Sequence, residues 1–224
     1  MTKGVEAFRG AHFDEAIDHF EKASELEPDE PMARLYLGAA LTQKVAPGVE
    51  SPENLKTAQS AIDNFKQVLE KRPHDLPAMQ MIAGLEFTIK RLDDAKQWQK
   101  KVLAENPKDP DAAFMIGLID WTQANEYAVK ALQAAGFQGD GEGNAKAPVK
   151  VMETIKAQNG PLVEEALKYF NQAMETSPNF DGPLTYMSLI YRRKADLDWA
   201  SDSARKDDLG KANKWTSRAL NLSR

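Results

Sequence analysis

The chain has 224 residues, 42% hydrophobic and 28% charged, which supplies a large packed core and excludes a disordered segment. Its net charge of −5, with one short basic run at Arg192-Arg193-Lys194, argues against a nucleic-acid binder. With no cysteine there is no disulfide, zinc-thiolate site or thiol nucleophile, and no run approaches the roughly 18 apolar residues of a membrane helix.

A recurring grammar organises the chain from its start. A helical stretch around Gly4 leads into FDEAIDHFEKASELEP, where Ala16 and Ala23 flank Phe20 and Pro28 closes the segment. LYLGAAL, centred on Gly38, precedes AIDNFKQVLEKRP with Ala61, Phe65, Val68 and Pro73. A stretch around Ala83 precedes AKQWQKKVLAENP with Ala95, Val102 and Pro107. FMIGLID, centred on Gly117, precedes ALKYFNQAMETSP with Ala166, Phe170, Ala173 and Pro178. A last stretch around Ser188 precedes ANKWTSRALNLSR with Ala212 and Ala219 and no closing proline. Residues seven apart share one side of a helix, so the small side chains admit a neighbouring helix and the aromatic fills the groove beside them. The proline then ends each helix. A glycine inside a helix costs about 1 kcal/mol relative to alanine, and close packing by the paired helix is the compensation expected at Gly38 and Gly117.

These five pairs resemble the tetratricopeptide repeat family, in the bacterial-type form with insertions within repeats. The resemblance implies an all-α, right-handed superhelical solenoid of about five helix pairs in a single domain. The units fall at about 1–29, 30–74, 75–108, 109–179 and 180–224. The closing prolines are 45, 34 and 71 residues apart, against a regular repeat of about 34. From the small residue of the first helix to the first alanine of the second is 12 residues in units one and three, but 23, 49 and 24 in units two, four and five. All the excess therefore lies between the two helices of a pair, where a loop can grow without disturbing the stack. In units three and five the aromatic slips one place to Trp98 and Trp215, leaving Gln99 and Thr216 at the usual position. The ending SRALNLSR reads as a polar-faced cap.

In unit two, Ser51-Pro52-Glu53 is a helix start, and that helix is expected from about Pro52 to Lys71. The first helix of unit four, from near Asp111, meets no breaker before Gly136 and is expected to run about 25 residues. PVKVMETIKAQ, with Val151, Met152 and Ile155 on one face, reads as an extra helix in an insertion spanning about 123–160, broken at Asn159-Gly160-Pro161 and folded back on the long one. In unit five, KADLDWASDSARKDD is expected to extend the first helix past Trp199.

The stretch GFQGDGEGN, 136–144, looks like ligand chemistry but matches none. Counting from Asp140, the twelfth position of a calcium loop is Val151, and no Lys-Ser/Thr pair opens a helix after a strand. It reads as a flexible helix–helix connection. His12, His19 and His74 lack a third ligand or a helical His-Glu partner, and Asp14-Glu15 and Glu164-Glu165 open helices, where acids suit the dipole. No catalytic set, metal site or cofactor motif is expected. The start MTKGVEAFRG is no signal peptide, so a soluble protein is expected, cytoplasmic or, if a leader once preceded it, periplasmic or secreted.

The resemblance implies a concave groove lined by the first helix of each pair, which binds a peptide or protein segment. Carried over by position, that groove holds Phe8, Leu35, Gln43, Gln80, Phe87, Phe114, Leu118, Trp121, Leu189 and Arg192, with Val5 and Ala39 beside them. Family members that clamp acidic chaperone tails carry Lys, Asn and Arg where this chain has Met1, Val5, Leu35 and Ala39, so no carboxylate clamp is expected. Two alternatives stay open at the groove. The insertions fold over it and make Phe114 and Trp121 core, or they leave it free. Beyond a non-catalytic scaffold, the alternatives are a small-molecule or lipid binder with the unit-four insertion as lid, and a self-associating structural module.

Overall fold

The computed structural model describes residues 1–178 and 180–222. They form ten α-helices and no strand among the described residues. In chain order these are α1 (Thr2–Arg9), α2 (Phe13–Leu26), α3 (Pro31–Thr42), α4 (Pro52–Lys71), α5 (Leu76–Thr88), α6 (Leu92–Glu105), α7 (Pro110–Ala134), α8 (Val149–Thr176), α9 (Gly182–Leu197) and α10 (Asp202–Leu222). Odd-numbered helices are the first of each pair. The chain divides into two compact units, one of Met1–Pro107 holding α1 to α6 and one from Lys108 onward holding α7 to α10.

Local chemistry sets the helix ends. Glu30, Ser51, Asp75 and Asp109 each accept a hydrogen bond from a backbone N–H of the first turn of α3, α4, α5 and α7, with a proline at the first or second helical position. At the other end, Pro28, Pro73, Pro107 and Pro178 each force the preceding residue out of helical geometry, to ψ of 70°, 76°, 85° and 88°. Those four cap residues still donate a backbone N–H to the helix, so each helix closes its ladder before it stops. The three-residue turns of units one and three are the same turn. Ala11 and Lys90 sit at φ 57° and 61°, and the following N–H reaches back to Ala7 and Glu86.

In units one, two and four, a fully buried aromatic of the second helix lies on the glycine of the first. A Cβ on Gly4 would stand 2.6 Å from the Phe20 ring, on Gly38 2.9 Å from Phe65, and on Gly117 2.6 Å from Phe170. Where the aromatic has slipped, the contact changes character. In unit three Ala83 and Gln99 are both buried, and unit five joins the Ser188 and Thr216 hydroxyls at 2.8 Å. In the first unit Phe20, Ala16 and Leu37 form one core, and Phe65, Ile62 and Ile82 a second. In the second unit one core surrounds Phe170, Met187 and Ile190, and another joins Ala128 and Leu132 to Met152 and Ile155. The outer face of α10 is polar, with Lys206, Asp207, Asn213, Lys214 and Ser217 exposed, and Ser223 and Arg224 lie outside the described residues.

Helix α4 and the 25-residue α7 have the lengths expected from their start and stop signals. Two expectations are corrected. Asn159-Gly160-Pro161 does not break the chain, because α8 runs unbroken from Val149 to Thr176 with Pro161 inside it. The added segment is thus the front half of the second helix of unit four. Met152 and Ile155 before the proline and Val163 and Ala166 after it are all buried, the former pair against Ala128 and Leu132 of α7. The Asn159 amide donates to the Ala124 carbonyl at 2.7 Å, tying the two helices where the ladder loses a bond. Burying these side chains outweighs the roughly 3 kcal/mol cost of an interior proline. In unit five, α9 stops at Leu197 rather than beyond Trp199, and a new start at Asp202 gives the extra length to α10.

Candidate functional site

In the first unit, the residues expected along the first helices stay at or near the surface. Phe8 on α1 is half-buried, edge-on to Phe13 at 5.7 Å. Leu35 and Ala39 on α3 are half-buried against the core around Phe65, while Gln43, at the end of α3, and Gln80, on α5, are exposed. Phe87 on α5 is half-buried. Beside it, Gly84 is exposed and has open space where a side chain would stand.

The second unit brings several of the expected residues together. Phe114 meets Phe170 at 6.0 Å, Phe180 at 5.4 Å and Tyr186 at 5.6 Å, and Trp121 meets Tyr186 at 5.1 Å. Most of these contacts are edge-on or tilted, the arrangement that ring quadrupoles favour. Phe114, Trp121, Leu118 and Leu189 are each half-buried, so the cluster has a packed inner side and an open outer one. Tyr186 was legible in principle, three residues before Leu189 on the same helical face. Phe180 lies outside any helix and carries no periodic signal.

Arg192 is committed elsewhere. Its guanidinium donates to the Gly141 carbonyl at 3.0 Å and to the Asn213 side chain at 3.3 Å, joining the insertion loop to α10. The loop expected to be flexible is therefore tied down. The Asp140 carboxylate accepts the backbone N–H groups of Glu142 and Asn144 at 2.7 and 2.9 Å, and the Asn144 side chain accepts from Asp140 N at 2.8 Å. Asn144, fully buried at φ 51°, also donates its amide to the Asp196 carboxylate at 2.7 Å. Gly143 must be glycine, since its φ is 91° and a Cβ there would collide with Arg205 and the Ala195 carbonyl. Asp196 is 1% exposed and pairs with Arg193 at 3.0 Å. Burial pushes its carboxyl up to about 6, against the pull of Arg193 and of the Asn144 bond, with the charge of Asp140 adding to the rise. One turn away, Lys194 bridges Asp198 and Asp208 at 2.7 and 2.8 Å.

Asp140 is thus occupied by the loop's own amides. No group of three or more His, Asp or Glu side chains among the described residues is arranged to hold a metal ion. His74 lies 2.9 Å from Glu105 and His19 3.6 Å from Glu15, both near the surface. No helix among the described residues is long and apolar enough to cross a membrane.

Family models described as tetratricopeptide repeat match residues 1–47 and 55–119. Among solved structures, the chain is similar to a crystal structure of MamA protein, with 16% identity and a TM-score of 0.64 over 99% of this chain and 88% of that one. It is also similar to MamA 41-end from Desulfovibrio magneticus RS-1, with 17% identity and a TM-score of 0.63 over 99% and 91% of the two chains. At such identities the likeness is one of fold. No curated protein matches the sequence. Five helix pairs, an aromatic laid on a first-helix glycine in three of them, and prolines closing four second helices agree with those matches, and the chain belongs to the tetratricopeptide repeat family.

Proposed function

We propose that the protein is a non-catalytic interaction scaffold that binds a peptide or protein segment along its first helices. One asymmetry carries this reading. Where the second-helix ring of the repeat keeps its place, at Phe20, Phe65 and Phe170, it is fully buried, whereas the first-helix aromatics Phe8, Phe87, Phe114 and Trp121, like second-helix Phe13, Trp98, Tyr169 and Trp215, keep part of their surface in water. A fold that spends one set of rings on its core and leaves the other half exposed on helix after helix offers anchors to a partner. Half-buried Leu35 with exposed Gln43 and Gln80 in the first unit, and half-buried Leu118 and Leu189 in the second, add apolar area and polar edges within each unit. Arg192, bonded to the insertion loop, holds that loop in place instead of reaching for a partner.

The net charge of −5 favours a protein or peptide over nucleic acid. A lid formed by the front half of α8 is disfavoured, because its buried Met152 and Ile155 pack directly on Ala128, Leu132 and Ala147. The test is a peptide-library selection on the purified chain, followed by alanine substitution. Phe87→Ala is expected to weaken a selected peptide by about 30-fold, as for a ring worth about 2 kcal/mol, with the thermal melt little changed. Peptides that bind Phe8→Ala and Phe87→Ala variants as well as the native chain would rule out the first-helix face of the first unit. Selected peptides matching this chain's own sequence, with mass rising with concentration in sedimentation, would identify the partner as a second copy.

A further inference from the structure

A recess of about 590 Å³ opens between the C-terminal end of α7, the insertion loop and α9. It is separate from the first-helix aromatics, and nothing in the scaffold reading requires it. One wall is apolar, made by Val129, Leu132 and Phe137, and Val129 is 39% exposed, an uncovered branched side chain. Gln133 and Gln138 stand at the rim. Part of the wall is bare backbone, since Gly136 and Gly141, both at φ 68°, have open space where a side chain would be. Arg193 is the one charged residue in the lining.

That arginine is held from behind. Its Nη1 pairs with buried Asp196, which in turn is held by Asn144 of the loop. A guanidinium carries five N–H donors, and one ion pair does not use them all. The side chain is only 12% exposed, which screens the charge poorly and strengthens its pull on an anion. The surroundings also limit the charge of that anion. Asp196 offsets much of the arginine's charge from behind, so a single carboxylate is tolerated better there than a doubly charged phosphate. The volume lies within the range of small-ligand sites, which are mostly apolar with a few fixed polar groups.

We propose that this recess binds a monocarboxylate joined to a small apolar group, with the carboxylate on the Arg193 guanidinium and the apolar part on Val129, Leu132 and Phe137. The source is either a free short-chain acid or the C-terminal residue of a peptide, which present the same chemistry.

The test is an NMR titration of the full ¹⁵N-labelled chain with octanoate and with N-acetyl-alanyl-leucine, each beside its amide. Saturable shifts are expected at Gly136, Gly139 and Gly141, with each acid preferred over its amide by about tenfold, as for a charge-assisted hydrogen bond. Gln133, exposed on α7, provides the control. Gln133→Glu is expected to weaken acid binding at least about fivefold with an unchanged melt, and Gln133→Lys to match or exceed native affinity. Whichever acid binds more tightly identifies the source. Shifts that fail to saturate, that map elsewhere, or that an amide reproduces equally would overturn the proposal.

Discussion

Gly117 and Gly84 are both helical glycines, in opposite surroundings. A Cβ at Gly117 meets the Phe170 ring at 2.6 Å, and one at Gly84 meets nothing within 4 Å. Gly117→Ala is therefore expected to destabilise by about 1–3 kcal/mol through overpacking. Gly84→Ala is expected to stabilise by about 0.5–1 kcal/mol through helix propensity and a less disordered unfolded chain. Urea titrations of the two variants should move in opposite directions. Asp196 makes the pH-dependent case. Its carboxyl, raised from 3.8 to about 6, keeps its proton to higher pH in the folded protein than in the unfolded chain. Its contribution to stability is thus full below about pH 4 and is lost as pH rises through about 6, a span worth about 3 kcal/mol. Relative to Asp196→Asn, the native protein should lose about 2–3 kcal/mol of unfolding free energy between pH 4 and 7.5, and a constant difference would show that the buried carboxyl titrates normally. Gly117 could be read in the sequence because a repeating neighbour explained it. Asp196 could not, because its partners Asn144 and Asp140 lie more than fifty residues away.

At the scale of elements, α8 separates what local signals decide from what packing decides. Asn-Gly-Pro is a strong breaker, and it failed here because one 25-residue partner, α7, presents buried contacts to both halves of the helix. Pro161 is exposed, so Pro161→Ala adds a helical N–H without leaving a hole. The variant should be more stable by about 1–3 kcal/mol in urea, and a loss would mean that the proline shapes the α7–α8 contact. The tight turns of units one and three carry a smaller reserve. Ala11 at φ 57° is a left-handed alanine, and Ala11→Gly should stabilise by roughly 0.5–1 kcal/mol in the same assay. The start of α4 was readable because a capping side chain followed by proline acts within one turn, and the reach of α7 because no breaker stands before Gly136. The end of α9 was not, since the extra residues of unit five fit either helix by local pattern alone.

At the scale of the whole molecule, each buried cluster among the described residues belongs to one of the two units. The cores around Phe20 and Phe65 lie in the first unit, and those around Phe170 and Met152 in the second. Three stacked pairs meet the usual minimum for a repeat array. Residues 1–107 expressed alone should therefore be helical by circular dichroism and unfold cooperatively in urea. A segment with a broad, non-cooperative melt would show that its cores depend on the rest of the chain.

The repeat, the pairing of helices and the placing of every insertion within a pair followed from sequence alone, because they rest on short-range rules. Small residues seven apart, an aromatic between them and a proline two residues past the helix act within one or two turns. Tertiary structure decided what the insertions became. The glycine-rich stretch 136–144 has the composition of slack chain, and it is ordered because Arg192 and Asp196 of a later repeat supply partners for its carbonyl and amide groups. The helix break predicted at Pro161 is absent because α7 is long enough to bury side chains on both sides of it. Contacts between residues fifty positions apart leave no periodic trace in a sequence, and they are what shape the arginine-backed recess.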